Sequence, residues 1–297
     1  MAPGEQPALL VIGHGSRSAD GVDEYWRFVA EVRRAAGDDG VAASVAGGLI
    51  EFAEPDLDTA VDKLVADGAG HVVAVPLVLL GAGHLKNDGP AVLARGRSRH
   101  LGVRFDYGRD LGVHPNVLAV ADSRIRETLA GGEPSEWAVV LVGRGSTDPD
   151  ANADLFKVAR LLEDACRLST VEAAFVSLTP PGVPAALERA RRLGAKRIAV
   201  MPYFLFTGVL VDRIGEQARA FAIEHPEVEV RVGPHLGGDV RLAELVLERF
   251  REATAGGARM NCDCCVYRTA FPGHEAKVGA PVVVHDGHRH TTIEEGR

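Results

Sequence analysis

The sequence VIGHGS at residues 11–16 returns as LVGRGS at residues 141–146, an offset of 130 residues. Two more pairs of segments repeat in the same order, at offsets of 126 and 125 residues. Ordered repeats at a nearly constant spacing indicate a duplicated unit rather than chance similarity between apolar segments. These pairs are GAGHVVAVPLVLL (68–80) with LGAKRIAVMPYFLF (193–206), in which Pro76 matches Pro202, and YGRDLG (107–112) with VGPHLG (232–237).

The first copy alternates continuous apolar runs with amphipathic segments. A run without polar alternation is typical of a strand that is buried on both faces, as in a parallel sheet. Strands of this kind alternating with helices specify an α/β fold with a mainly parallel sheet. The predicted strands are 8–12, 41–50, 71–80 and 103–107, and the predicted helices are 23–36, 56–66, 90–97 and 116–129.

The length of 297 residues suits two domains, since a domain takes about 150 residues. We expect an N-terminal domain over 1–130 that carries the chemistry and a degenerate repeat over 137–254. A segment rich in Gly, Pro and Ser at 131–136 is the natural linker between them. Beyond about residue 255 the helical period stops and Cys and His become frequent, which predicts an irregular tail over 255–297.

The composition excludes several classes of protein. Hydrophobic residues make up 46% and charged residues 25%, which are ordinary values for a globular chain. Acidic residues outnumber basic ones by 41 to 33, and the net charge of −8 argues against a general nucleic-acid binder. The longest apolar stretches, 72–80 and 198–211, are too short or too interrupted to span a membrane, and the N-terminus lacks the features of a signal peptide. We therefore expect a soluble cytoplasmic protein.

Three polar residues follow three consecutive predicted strands. His14 comes after the first strand, Glu51 after the second, and His84 after the third through a glycine-rich turn. Because ligands of an open α/β sheet bind beyond the carboxyl ends of its strands, we expect these side chains to meet at one edge. Two imidazoles and a carboxylate are suitable ligands for a divalent first-row metal and suitable proton acceptors near neutral pH.

Each of these residues also has an ordinary explanation when it is taken alone. His14 could be a surface or capping residue of its turn. Glu51 could close its strand or cap the helix that begins near Asp56, and Glu54 is a competing carboxylate. The coincidence of three such groups at one edge favours the functional interpretation.

The second copy has lost this set of ligands. Arg144 stands at the place of His14, Ser177 at that of Glu51 and Leu210 at that of His84. A guanidinium stays protonated at physiological pH, so Arg144 cannot bind a cation, although it could contact a substrate carboxylate across a shared cleft. The sequence therefore predicts one metal centre, built mainly from the N-terminal half.

The glycine-rich turn after the first strand also invites a nucleotide-binding interpretation. Ser18 occupies the place of the third glycine of GxGxxG, and the chain has no GKS/T motif, so we rank this interpretation last. The turn amides could still bind an anion. The nearest side-chain donors for an anionic substrate are Ser16, Arg17 and Lys86, each of which could equally be an ordinary surface residue.

The motifs together resemble a known family, the sirohydrochlorin chelatases of the CbiX type, over about residues 8–250. The resemblance implies two flavodoxin-like, chelatase-like domains that face a shared cleft and an ATP-independent insertion of a divalent metal into sirohydrochlorin, a tetrapyrrole with eight carboxylates. It also implies that His14 and His84 are the active-site histidines and that Glu51 is the accompanying carboxylate. The motifs are VIGHGSR, GLIEFAEPD, VPLVLLGAGHLKND, LVGRGSTDPDAN and MPYFLFTGVLVDRI.

The long, two-copy form implies Co²⁺ as the inserted metal, on the anaerobic route to cobalamin. A close relative uses iron for sirohaem, and the same ligands accept cobalt, iron or nickel, so a sirohydrochlorin ferrochelatase is the alternative. A non-catalytic metal-binding or delivery protein is the competing function from a different class. Only the chelatase accounts for three ligands at one crevice.

The tail holds a second candidate metal site, at Cys262, Cys264 and Cys265. Cysteines this close favour metal over disulfides, whereas Cys166 stands alone in a helical pattern. By the family resemblance, the segment resembles an iron–sulfur motif. A [4Fe–4S] cluster takes four thiolates, so a fourth ligand would come from His274 or from another subunit of a homo-oligomer. A Cys₃His zinc site and an inert thiol cluster are the alternatives.

The end of the chain is rich in histidine. His274, His285, His288 and His290 resemble the histidine-rich tails of metal-handling proteins and could collect Co²⁺ or Ni²⁺ transiently. A polar terminus without a metal is the alternative explanation, because the spacing of these residues is loose.

Overall fold

A computed structural model describes residues 6–260, 265–270 and 273–279. The first half of the chain contains β1 (Ala8–Gly13), α1 (Ala19–Asp38), β2 (Val45–Leu49), α2 (Leu57–Ala66), β3 (His71–Pro76), α3 (Gly89–Arg99), β4 (Arg104–Tyr107) and α4 (Pro115–Leu129). The second half contains β5 (Ala138–Gly143), α5 (Pro149–Cys166), β6 (Thr170–Phe175), α6 (Val183–Arg192), β7 (Arg197–Pro202), α7 (Val209–Glu224), β8 (Glu229–Val232) and α8 (Val240–Thr254). A π-helix spans His84–Asp88, and short 3₁₀ helices span Pro134–Glu136 and Glu275–Lys277.

Each half forms one four-stranded sheet in which every strand pair is parallel. The strand orders are β2-β1-β3-β4 and β6-β5-β7-β8, the flavodoxin-like order without its fifth strand. The central strands β1 and β5 are buried along their whole length, which explains their unbroken apolar sequences. The predicted fold of two duplicated α/β domains is confirmed.

The third strand of each half is shorter than its apolar run. β3 ends at Pro76 and β7 ends at Pro202, although the first run was predicted to continue as strand to residue 80. Proline has no N–H to donate and fixes its own φ, so each strand makes one more bond to the central strand, from the N–H of Leu77 to Ile12 and of Tyr203 to Val142, and then leaves the sheet. The residues that follow leave the sheet and form part of the wall of a cleft, among them Leu77 and Tyr203.

The last helix of each half packs against the other half. α8 lies on α1, β3 and β4, whereas α4 lies on α5, β7 and β8. Arg249 of α8 is buried and donates to the carbonyl oxygens of Asp110 and Leu111 at 2.9 and 3.1 Å. Cys166 of α5 donates to Asp122 of α4 at 3.0 Å, and burial followed by this carboxylate raises the thiol pKa to about 12.

The exchange of helices gives the two halves a common hydrophobic core. One cluster of buried side chains runs without a break through β1, α1 and α4 to β5, α5 and α8. The domain boundaries at 130 and 137 remain predictions from the sequence, but neither repeat buries its apolar surface by itself. The structure is therefore one interlocked unit with a repeated design.

The described part of the tail packs on the folded units. Cys265 and Val266 are buried. Tyr267 places its hydroxyl 3.4 Å from the position that a Cβ on Gly83 would take, and Lys277 donates to the carbonyl oxygen of Thr147 at 3.2 Å. The tail also contains the one-turn helix noted above, which its sequence did not predict. Cys262, Cys264, His285, His288 and His290 lie outside the described residues.

Within residues 6–260, 265–270 and 273–279, no helix is both long enough and apolar enough to cross a bilayer.

We predict that the two halves unfold as one unit. Phe250 of α8 is buried in the common core, so Phe250→Ala should lower the free energy of unfolding by about 3–5 kcal/mol. The protein has two tryptophans, Trp26 in the first half and Trp137 in the second, so the single-tryptophan variants Trp26→Phe and Trp137→Phe report each half by fluorescence. Phe250→Ala should lower the midpoint denaturant concentration by the same amount, whichever tryptophan reports it. A shift confined to Trp137 would mean that the repeats fold independently.

Candidate metal-binding cleft

The structure brings His14, Glu51 and His84 together at the carboxyl ends of three neighbouring strands. His14 directly follows β1, Glu51 comes two residues after β2, and His84 begins the π-helix. One ligand atom from each residue lies within 4.8 Å of the other two. Among the described residues, no other group of three such side chains meets this criterion. Glu54, the competing carboxylate, is exposed and accepts a hydrogen bond from the backbone N–H of Asp56.

The glycine between His14 and Ser16 makes this convergence possible. The N–H of Glu51 donates to the carbonyl oxygen of His14 at 3.1 Å, which draws the end of β2 onto the turn. Gly15 has a φ of 94°, and a Cβ there would lie 1.7 Å from the carbonyl oxygen of Glu51. No other residue fits this contact. The glycine pattern of the turn is thus explained by the close approach of two chain segments.

The spacing of the three ligands suits a small cation. The Nε2 atom of His14 lies 3.4 Å from Glu51 Oε1, and the Nε2 atom of His84 lies 4.0 Å from the same oxygen. Two ligands of one tetrahedral ion, each about 2.1 Å from it, lie about 3.4 Å apart. The two imidazole rings meet nearly edge to face, with centroids 4.4 Å apart. The ligand atoms of His14 and His84 lie within 4.8 Å of each other, so small movements of these half-buried side chains would bring the set onto one ion.

The surroundings keep His14 uncharged. Its pKa falls to about 4, because burial penalises the imidazolium and because His84 and Arg144 add positive charge nearby. Nη1 of Arg144 lies 3.3 Å from His14 Nε2 and can donate to the lone pair of the neutral ring. Neutral imidazole is the form that binds metals and accepts protons.

Asp88 is a member of the site that the sequence interpretation missed. Its Oδ2 atom makes a short hydrogen bond with Nδ1 of His84, four residues earlier in the same π-helix. A carboxylate at Nδ1 fixes the proton on that nitrogen, orients the ring and leaves Nε2 free for a metal. The spacing of four residues in HLKND was the available signal, since it places both side chains on one side of a helical turn.

The second half of the chain supplies the opposite wall. A cavity of about 680 Å³ is lined by the strand-end turns of both halves, including His14, His84, Arg144 and Leu210. The backbone N–H of Ser177 donates to the carbonyl oxygen of Arg144 at 3.0 Å, just as the backbone N–H of Glu51 donates to the carbonyl oxygen of His14. Arg144, Ser177 and Leu210 therefore hold the positions that the sequence repeat predicted for them. They place a guanidinium and an apolar side chain where the first half has ligands.

The predicted substrate-binding residues differ in their surroundings. Ser16, Arg17 and Arg144 line the cavity. Lys86 does not, because its ammonium lies 2.8 Å from Asp148 and 3.0 Å from Asp150 across the interface between the halves.

The side chain of Lys86 is only 11% exposed, and burial alone would lower its pKa. The two carboxylates outweigh that effect and raise it. A buried ammonium needs such partners, so Lys86 joins the two walls of the cleft. The sequence interpretation had instead expected Lys86 to bind a substrate anion, for which its ammonium is not free.

The fold and the site define a two-lobed α/β protein whose cleft holds a candidate His–Glu–His metal site. The profile of the CbiX family matches residues 8–128 and 138–253, which are the two sequence repeats. The chain belongs to the CbiX family.

Two curated relatives and two solved structures are similar over most of the chain. A sirohydrochlorin cobaltochelatase of Priestia megaterium is 36% identical, with 90% of this chain and 86% of the relative covered. A sirohydrochlorin ferrochelatase of Bacillus subtilis is 30% identical, with coverage of 84% and 92%. The structure of SirB from Bacillus subtilis with Fe³⁺ has a TM-score of 0.74 at 29% identity, and a cobalt complex of the sirohydrochlorin chelatase SirB from the same species has 0.68 at 28%. Each structural match covers 84% of this chain and 96% of the other.

We predict that Arg144 helps to keep His14 neutral. In the wild-type protein His14 should titrate with a pKa of about 4, so metal binding should weaken as the pH falls through that value. Arg144→Gln removes one positive neighbour and should raise the pKa of His14 toward its ordinary value. NMR titration of the imidazole carbon shifts measures this change. Arg95→Gln is the control, since Arg95 pairs with Asp58 outside the cleft, and an equal response to both substitutions would contradict the assignment.

Proposed function

We propose that this protein is a sirohydrochlorin chelatase that inserts a divalent metal into the macrocycle without ATP. The observation that carries the proposal is the convergence of His14, Glu51 and His84 in a cleft with walls from both halves. Membership of the CbiX family supports it, as do relatives whose names describe insertion of cobalt or iron into sirohydrochlorin.

Metal insertion requires two chemical tasks that this site can perform. The metal must lose water, and two pyrrole N–H protons of the free-base macrocycle must be removed. His14 and His84 can hold the cation through their Nε2 atoms, with Glu51 balancing its charge. As the metal passes to the macrocycle, the Nε2 atoms become available to accept the pyrrole protons. Asp88 would stabilise the resulting charge on His84.

The cleft also suits a large, flat polyanion. Its walls are mainly apolar, and Arg17 and Arg144 stand exposed at the cavity. Guanidinium groups pair well with carboxylates, of which sirohydrochlorin has eight. Since the whole chain carries a net charge of −8, attraction of this substrate must come from these local groups.

We propose Co²⁺ as the metal that the protein inserts on the anaerobic route to cobalamin. The relative with 36% identity is a cobaltochelatase, whereas the one with 30% identity is a ferrochelatase. Iron insertion for sirohaem is therefore the alternative. A non-catalytic metal-delivery protein would have no use for a cleft large enough to take a macrocycle.

The iron–sulfur cluster of the tail stays a prediction. Of the three clustered thiols, the structure describes that of Cys265, which is buried, and His274 is half-buried in the tail. These two groups do not by themselves make the four-ligand set of a cluster. No step of the reaction depends on a cluster, and a homo-oligomer joined through it is likewise a prediction.

We predict that the three ligands are essential for insertion. His14→Ala, His84→Ala and Glu51→Gln should each lower kcat for Co²⁺ insertion by about 100-fold or more, since each removes a ligand or proton acceptor. The assay follows the absorption spectrum of sirohydrochlorin with Co²⁺, and in parallel Fe²⁺, without ATP. His71→Ala is the control, because this histidine pairs with Asp106 away from the cleft. Wild-type turnover in both histidine variants would refute the site, and a wild-type protein that binds Co²⁺ without turnover would favour metal delivery.

We also predict that Arg144 binds substrate and that the chain has one metal centre outside its tail. Arg144→Ala should raise KM for sirohydrochlorin about 10-fold with little change in kcat, because a guanidinium contributes binding and not proton transfer. Leu210→Ala should act only through packing. In full-length protein whose clustered cysteines are replaced by serine and whose tail histidines are replaced by alanine, Co²⁺ titration should give one tight site that His14→Ala abolishes. A second tight site, or loss of kcat alone in Arg144→Ala, would assign chemistry to the second half.

A further inference from the structure

Two residues of the cleft, Phe52 and Leu178, hold a backbone conformation that is strained for a residue with a side chain. At Leu178 this conformation belongs to a tight turn, in which the N–H of Thr179 donates to the carbonyl oxygen of Ser177 at 2.8 Å. Among the described residues, four that are not glycine have a positive φ. Ala130 and Arg167 end helices α4 and α5, where this conformation is common. The other two are Phe52, with a φ of 70°, and Leu178, with a φ of 66°. Bulky side chains rarely adopt such values.

These two residues occupy equivalent places in the two halves. Phe52 directly follows Glu51, and Leu178 directly follows Ser177, at the matching ends of β2 and β6. Both line the cavity, one from each wall. Phe52 is 50% exposed and Leu178 is 62% exposed. The two halves differ in every metal ligand, yet both keep a strained, exposed apolar side chain at this position.

Such an arrangement is costly to the fold in two ways. A residue with a Cβ loses stability in this region of φ, and exposing a large apolar side chain to water gives up burial. A glycine would relieve both costs at either position. Strained residues of this kind cluster at ligand clamps, where contact with a ligand is the compensating gain.

The neighbours of Phe52 present it as a stacking surface. Its ring lies nearly parallel to that of His14, with an angle of 19° and centroids 6.3 Å apart. The guanidinium carbon of Arg17 lies 4.9 Å from the centroid of the same ring. Arg17 thus covers part of one ring face, and half of the side chain stays exposed. That exposed aromatic surface, held beside His14 and a cation, suits a flat conjugated molecule that carries anionic groups at its edge.

We propose that Phe52 and Leu178 form an apolar clamp that holds the flat macrocycle between the two walls and aligns its nitrogens with the His14–Glu51–His84 site. This inference rests on the proposed function and adds specificity-determining residues to it. The clamp binds the conjugated ring system, whereas Arg17 and Arg144 bind its carboxylates. Its contribution is made in binding and in orientation, before protons move.

The test compares substitutions that relieve strain inside and outside the cleft. Phe52→Gly and Leu178→Gly should leave the melting temperature unchanged or raise it by about 1–3 °C, because a positive φ is favourable for glycine. They should also raise KM for sirohydrochlorin, and its Kd measured by fluorescence without metal, by about 10-fold. The Kd for Co²⁺ alone should stay within about 2-fold, because no metal ligand has changed.

Ala130→Gly is the matched control, since Ala130 also has a positive φ, of 49°, but lies outside the cleft. It should raise the melting temperature without changing either constant for sirohydrochlorin. Phe52→Leu keeps an apolar surface and should restore most of the binding lost in Phe52→Gly.

The outcomes separate the clamp from the proposed function. If the wild-type protein fails to bind sirohydrochlorin, the proposed function is wrong and the clamp falls with it. If the wild type binds and turns over but both glycine variants bind equally well, the clamp alone is overturned. A fall of several degrees in the melting temperature of both glycine variants with KM unchanged would assign the two residues to the scaffold.

Discussion

The common hydrophobic core is the constraint on which the rest of the structure depends. Because α4 packs on the second sheet and α8 on the first, neither half can turn away from the other without exposing apolar surface. The strand ends of both sheets are thereby held against one cavity. The buried contact of Lys86 with Asp148 joins the two walls a second time. A cleft built in this way is preorganised for a rigid substrate.

The cleft must attract carboxylates and a metal cation at once, which are opposite electrostatic demands. Under the proposed function Arg144 serves the first demand, and the same guanidinium, 3.3 Å from His14 Nε2, disfavours protonation of that imidazole. Glu51 Oε1 lies 3.4 Å from the same Nε2 atom and brings the negative charge that a cation there would need. The two demands are thus met by different groups around one imidazole.

Duplication preserved the backbone of the site and allowed its side chains to diverge. Gly15 and Gly145 both permit a close approach by the end of the neighbouring strand, at 1.7 and 2.0 Å from the place of a Cβ. On that shared backbone, the first half carries the carboxylate of Glu51 as a candidate ligand. The second half carries Ser177 at the matching position and has no carboxylate there. A repeated scaffold can therefore carry a metal on one wall and receive a substrate on the other.

The amino-acid sequence by itself determined the repeat, the parallel sheets and the meeting of His14, Glu51 and His84. It could do so because strand periodicity is local and the carboxyl ends of parallel strands share an edge. Only the tertiary structure decided the exchange of α4 and α8, the partner of Lys86 and the exposed, strained backbone of Phe52. These features depend on which distant surfaces pack together, and hydrophobic patterning says that a face is buried without saying what buries it.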